Sequence, residues 1–166
     1  MTTQSFRIAG AAAVLAVVLT ACGGGNSSDL ELTPVGAQIT VLNSTSPTFN
    51  GVYSTDTISL TDVQRIDPIG SQPEVCSFRF TGPTSPSGQT MSGDVRYRST
   101  TQQIYTIFIS INGFEFRADD PANATVQTAN NQLVLSNKVL TASTGVSSTI
   151  TVNGVVPLRG GRPGGC

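Results

Sequence analysis

Few side chains in this chain have reactive potential: three cysteines, Cys22, Cys76 and Cys166, and ten carboxylates, with no histidine and no tryptophan among 166 residues. The missing imidazole removes the usual general base near neutral pH and the commonest nitrogen ligand for metals. It also excludes serine or cysteine catalysis of the His-dependent kind. Asp119-Asp120, followed by Asn123, offers oxygens to a hard cation, but such ions want roughly six to eight of them. Two adjacent aspartates after a strand more often mark a turn with solvated side chains. Asp56, Asp62, Asp67 and Glu74 are the raw material for a carboxylate pair of the glycosidase type, yet no spacing singles out two of them. The expectation is no catalytic residue, no metal and no cofactor.

The first cysteine has a different setting. Residues 1–7 carry positive charge only, at Arg7 and the α-amino group, and Ile8–Leu19 is an apolar run of 12 residues broken only by Gly10. That run is shorter than the roughly 20 residues a membrane-spanning helix needs. Gly23-Gly24-Gly25-Asn26-Ser27-Ser28 follows without a basic stop-transfer cluster. A charged start, a short apolar middle and small residues at the exit read as a secretory signal. Leu19-Thr20-Ala21-Cys22 resembles the lipobox of bacterial lipoproteins: leucine, two small residues, then the cysteine that takes the lipid. The resemblance covers about the first 23 residues and implies a diacylglyceryl thioether on Cys22, cleavage before it, and acylation of the new α-amine. It also implies a membrane anchor at the cell envelope. Gly23 in place of an aspartate fits passage to the outer membrane, facing the periplasm.

With Cys22 committed to lipid, Cys76 and Cys166 are left. Two thiols in an oxidising exported compartment usually pair, and the Gly-rich tail is long enough to swing Cys166 back to a strand edge. The alternative is a buried free Cys76, whose parity puts it inward with Phe78 and Phe80.

Residues 1–21 carry one charged side chain, Arg7, so nine cationic and ten acidic side chains become eight and ten after cleavage, a formal net charge of −2. The arginines are scattered and Lys138 is the only lysine. Nucleic acid binding leaves a basic footprint, and none is present. The organisation that follows is a signal peptide at 1–21, a lipidated cysteine and flexible linker at 22–36, a β domain at 37–158 and a Gly-rich tail at 159–166.

From Ala37 onward short apolar runs alternate with turn residues, with abundant Thr, Ser, Val and Ile, as β-structure prefers. Strands are expected at Ala37–Leu42, Phe49–Ser54, Thr57–Val63, Val75–Thr81 and Gly93–Ser99, with a Pro/Ser/Gly loop at 82–92. Asn112-Gly113 predicts a two-residue hairpin turn, since both central positions need positive φ. It pairs Ile111 with Phe114, Ile109 with Phe116 and Ile107 with Ala118 on an inward face that Tyr105 extends. The other face carries Phe108 beside Arg117, either as a recognition patch or beneath a second sheet. Asn130-Asn131 predicts another hairpin between 124–129 and 132–137, and Asn153-Gly154 is a turn or a bulge within one strand. The pattern predicts an all-β fold, a single antiparallel β-sandwich or small β-barrel.

Ser92-Gly93-Asp94-Val95-Arg96-Tyr97 resembles the Ser-Gly…Tyr stretch of small periplasmic lysozyme-inhibitor lipoproteins, which are also β-barrels, with the spacing off by one residue. That resemblance implies a partner enzyme. The expected role is therefore a non-enzymatic, lipid-anchored structural or interaction module, with binding of a small apolar ligand or a partner enzyme as the alternative.

Overall fold

The computed structural model describes residues 36–145 and 147–166. Its strands are β1 (Ala37–Leu42), β2 (Gly51–Thr55), β3 (Ser59–Leu60), β4 (Gln64–Ile66), β5 (Val75–Thr84), β6 (Thr90–Arg98), β7 (Ile104–Ile111), β8 (Phe114–Ala118), β9 (Ala124–Gln127), β10 (Gln132–Ala142) and β11 (Thr149–Pro157). Every pairing is antiparallel, in the order β11-β1-β2-β5-β6-β7-β8-β10, and β10 pairs back onto β11. The sheet therefore closes: the fold is an eight-stranded antiparallel β-barrel, not a sandwich.

The three short extra strands complete the wall. Along one edge of β5, Ser54 of β2 pairs with Thr84, Leu60 of β3 with Phe80, and Arg65 of β4 with Cys76. These segments form one interrupted stave. Likewise β8 and β9 lie in line along one edge of β10, through Arg117↔Thr141 and then Ala124↔Leu135. Closure leaves few strand edges open, the usual hazard of β-sheets.

Alternation fills the interior. Ile39, Val41, Tyr53, Cys76, Phe80, Met91, Val95, Tyr97, Ile107, Ile109 and Phe116 point inward and are buried. Gly93 faces Phe80 across the β5–β6 ladder. A Cβ there would lie 2.3 Å from the Phe80 ring, so the glycine makes room for the aromatic.

The Asn112-Gly113 turn has the expected backbone, φ +47° and +84°, and the β7–β8 register pairs Ile111 with Phe114, Ile109 with Phe116 and Ile107 with Ala118. Two inward assignments fail. Phe114 is 63% exposed, because a residue next to a barrel-end turn sits on the rim, beyond the core. Tyr105 is half-buried, because the β6–β7 ladder shifts between Arg96↔Thr106 and Tyr97↔Ile104. Tyr105 is the extra residue of that bulge, and Ile104 takes the inward position.

The expected loop at 82–92 shrinks to residues 85–89. Gly82, at φ +123°, and Pro83 lie where the β5–β6 ladder shifts between Thr81 and Thr84; a bulge tolerates proline within a strand. Asn153-Gly154 sits inside the single strand β11, opposite the irregular stretch between Leu135 and Lys138 of β10.

Candidate functional site

Four connections meet at one end of the barrel: β1–β2, β5–β6, β7–β8 and β10–β11. Between them opens a cleft of about 1120 Å³ lined by Thr48, Phe49, Gln89, Phe114, Phe116 and Ser148, among others. Its apolar surface is aromatic. Phe49, on a single 3₁₀ turn (Pro47–Phe49), packs 5.5 Å from the Phe114 ring and 5.6 Å from the Phe116 ring. Phe116 and Phe49 are buried, and Phe114 stands exposed above them.

Hydrogen bonds hold the rim. The Tyr53 hydroxyl, shared between Gln89 Oε1 (2.7 Å) and the Phe49 carbonyl (3.0 Å), fixes two connections from inside. Burial pushes the pKa of that hydroxyl up. The Asn112 carboxamide oxygen accepts from the Thr90 amide at 2.9 Å, and the Thr45 and Ser148 hydroxyls meet at 2.6 Å. Preformed apolar concavities ringed by fixed polar groups are where proteins bind ligands and partners. Phe49 and Gln89 went unsignalled in the sequence because only barrel closure brings their loops together.

The opposite end is plugged. Cys76 and Cys166 form a disulfide with Cα atoms 5.7 Å apart, and both are buried. The tail packs Leu158 inward as well. The Tyr97 hydroxyl donates to the Cys166 carbonyl at 2.9 Å, and the Arg65 guanidinium donates to the Gly164 carbonyl. Burial pushes the Tyr97 pKa up, against the opposing charge of Arg162.

Asp119 and Asp120 are engaged by neighbouring cations. Lys138 shares the inward parity of Leu140 and is only 1% exposed. Its ammonium donates to Asp120 Oδ1 (2.8 Å), the Asp120 carbonyl (2.8 Å) and the Ala122 carbonyl (2.9 Å). It thereby bridges the break between β8 and β9, and the hydrogen bond from Lys138 holds the Asp120 carboxyl below its ordinary range. Asp119 is desolvated, but hydrogen bonds from Thr106 (2.6 Å) and Arg117 (2.8 Å) outweigh that and lower its pKa. Among the described residues no group of three or more potential ligands gathers to hold a metal ion.

The other carboxylates are not brought together. Asp62 pairs with Arg159 at 3.1 Å, and Glu74 accepts from Ser99 at 2.6 Å beside Arg65. Asp56 and Asp67 are exposed. Phe108 lies on the outer wall, half-buried. In place of a second sheet, two guanidiniums cover its ring: Arg96 at 5.7 Å and Arg117 at 5.2 Å from the centroid. In the Ser92–Tyr97 stretch, Val95 and Tyr97 point inward and Asp94 and Arg96 face outward. Cys22 and the rest of the lipobox lie outside the described residues.

No protein-family model matches the chain, and the comparisons with curated proteins and with solved structures find no match.

Proposed function

We propose that the chain is a non-enzymatic lipoprotein of the cell envelope, anchored through Cys22, whose barrel-mouth cleft receives an apolar group of a partner protein. The observation that carries the cleft is Phe114, held 63% exposed over Phe49 where four connections converge. A side chain of that size left in water next to fixed polar groups is the form of an interface anchor. The lipobox resemblance supports the anchor, and two or three acyl chains on one cysteine hold a protein at a membrane durably. Gly36 leads into β1 at the plugged end, and the cleft opens at the far end. Gly23, in place of an aspartate, supports an outer-membrane position facing the periplasm.

A small apolar ligand is the second reading, and the cleft favours it by its aromatic lining, since ligand pockets are lined mainly by apolar and aromatic side chains. Its openness favours the protein, because small ligands are mostly enclosed when bound. Metabolic labelling with palmitate tests the anchor: label enters the wild type and is absent from Cys22→Ser, and label persisting in that variant refutes it. For the cleft, p-benzoylphenylalanine at position 114 is expected to crosslink a discrete partner protein in cells, lost when Phe49→Ser is added. Absence of any adduct, together with saturable binding of the apolar dye 1-anilinonaphthalene-8-sulfonate that Phe114→Ser weakens, assigns the cleft to small ligands instead.

A further inference from the structure

The outer wall formed by β5 to β8 carries a cross-strand row, Arg79↔Asp94↔Phe108↔Arg117, in direct register. Asp94 holds two arginines by their Nε atoms, Arg79 at 3.0 Å on Oδ2 and Arg96 at 3.3 Å on Oδ1. Arg117 uses its Nε on Asp119 at 2.8 Å. All three guanidiniums are thus tethered by one nitrogen, and among the described residues no hydrogen bond occupies their terminal Nη atoms. They stay accessible: the Arg79, Arg96 and Arg117 side chains are 69%, 37% and 49% exposed.

We infer that this wall is a second docking face, independent of the cleft, for a protein partner that presents carboxylates beside an aromatic or apolar side chain. The carboxylates meet the outward Nη pairs in the two-pronged geometry that guanidinium favours, and the partner's apolar group meets the rim of Phe108. Arg96 and Arg117, already fixed by an aspartate and the Phe108 ring, lose little side-chain freedom on binding. Arginine and aromatic residues are also the enriched anchors of protein interfaces. Three arginines against two aspartates leave a net charge of +1. That is a poor match for a uniform polyanion, whose binding grows with the number of uncompensated cations. Alternating signs suit a partner of defined pattern.

The test uses the full mature chain and a soluble random copolymer of glutamate and tyrosine as probe, with polyglutamate, heparin and phosphatidylglycerol-containing vesicles as competing arms. The copolymer is expected to bind more tightly than polyglutamate. Arg96→Gln with Arg117→Gln weakens it at least tenfold and Arg117→Gln alone by a smaller factor, while Phe114→Ser in the cleft leaves it unchanged. Unchanged thermal unfolding of the variants keeps folding out of the result. Heparin or vesicles binding as tightly as the copolymer, no copolymer binding, or loss of binding in Phe114→Ser would each overturn the inference.

Discussion

A lone lysine set inside a β-barrel is the sharpest electrostatic feature at the residue scale. Lys138 is 1% exposed and its three donors are all used, whereas the Asp120 side chain is 58% exposed. The two partners are therefore unequal. Removing the aspartate side chain leaves the buried ammonium with two carbonyls and no counter-charge, which costs about 1–3 kcal/mol or more. Removing the ammonium leaves the exposed Asp120 carboxylate, and the carbonyls of the exposed residues Asp120 and Ala122, to water, so no charge stays buried. Asp120→Ala is expected to lose more stability in urea unfolding than Lys138→Met, because only the first leaves a charge buried without its counter-ion. The pH dependence has a definite sign. Asp120 is depressed from the ordinary 3.8, so as acid is added the unfolded chain takes up its proton first. The stabilisation is whole above about 3.8 and disappears as pH falls through the lower folded value. Wild type and Asp120→Ala therefore converge in stability below that point. The sequence shows one lysine but not its inward position, because the shift in the β10–β11 ladder between Leu135 and Lys138 reverses the alternation from which a side would be read.

At the scale of strands and turns, what could be read depended on unbroken period-two pairing. The β7–β8 hairpin was legible since a dipeptide with both φ values positive fixed its register. Tyr105 and Phe114 escaped for different reasons, a bulge and a rim, and neither leaves a mark in local composition. Of the stave split into β2, β3 and β4, the expected strands Phe49–Ser54 and Thr57–Val63 fall on β2 and β3, while β4, Gln64–Ile66, is too short to show an alternation. Gly154 shows what such irregularities demand. A Cβ there would stand 2.5 Å from the Gln38 carbonyl oxygen and 2.8 Å from Ile39 Cα, both main-chain atoms of β1, at φ +153°. Gly154→Ala is expected to cost at least about 2 kcal/mol, while Gly161→Ala, with nothing within 4 Å, stays within about 0.5 kcal/mol. Thermal unfolding of the two variants makes the comparison.

For the whole molecule, closure decides what sequence left open. Alternation gives each strand an inner and an outer face, but the choice between two sheets and one ring depends on β1 meeting β11, a contact between the ends of the domain. The mouth cleft was illegible for the same reason, while the Cys76–Cys166 pairing could be anticipated from cysteine count and compartment. That bond spans 90 residues, and in the chain-entropy model it contributes about 4–5 kcal/mol. Cys166→Ser is expected to lower the urea midpoint by that equivalent, and reductant is expected to bring the wild type down to the variant without affecting the variant itself. A reduced wild type that keeps its full stability would contradict this. Thiol alkylation of the unreduced protein, read by intact mass, is expected to leave both cysteines unmodified.

Because each stave bonds only its neighbours around the ring and β11 returns to β1, no strand in the circle is topologically first. Opening the chain at the Asn112-Gly113 turn and splicing Cys166 to Gly36 through a glycine linker would preserve every ladder and the disulfide-held plug. Such a circular permutant would carry its new ends at the mouth while leaving the wall of the barrel intact.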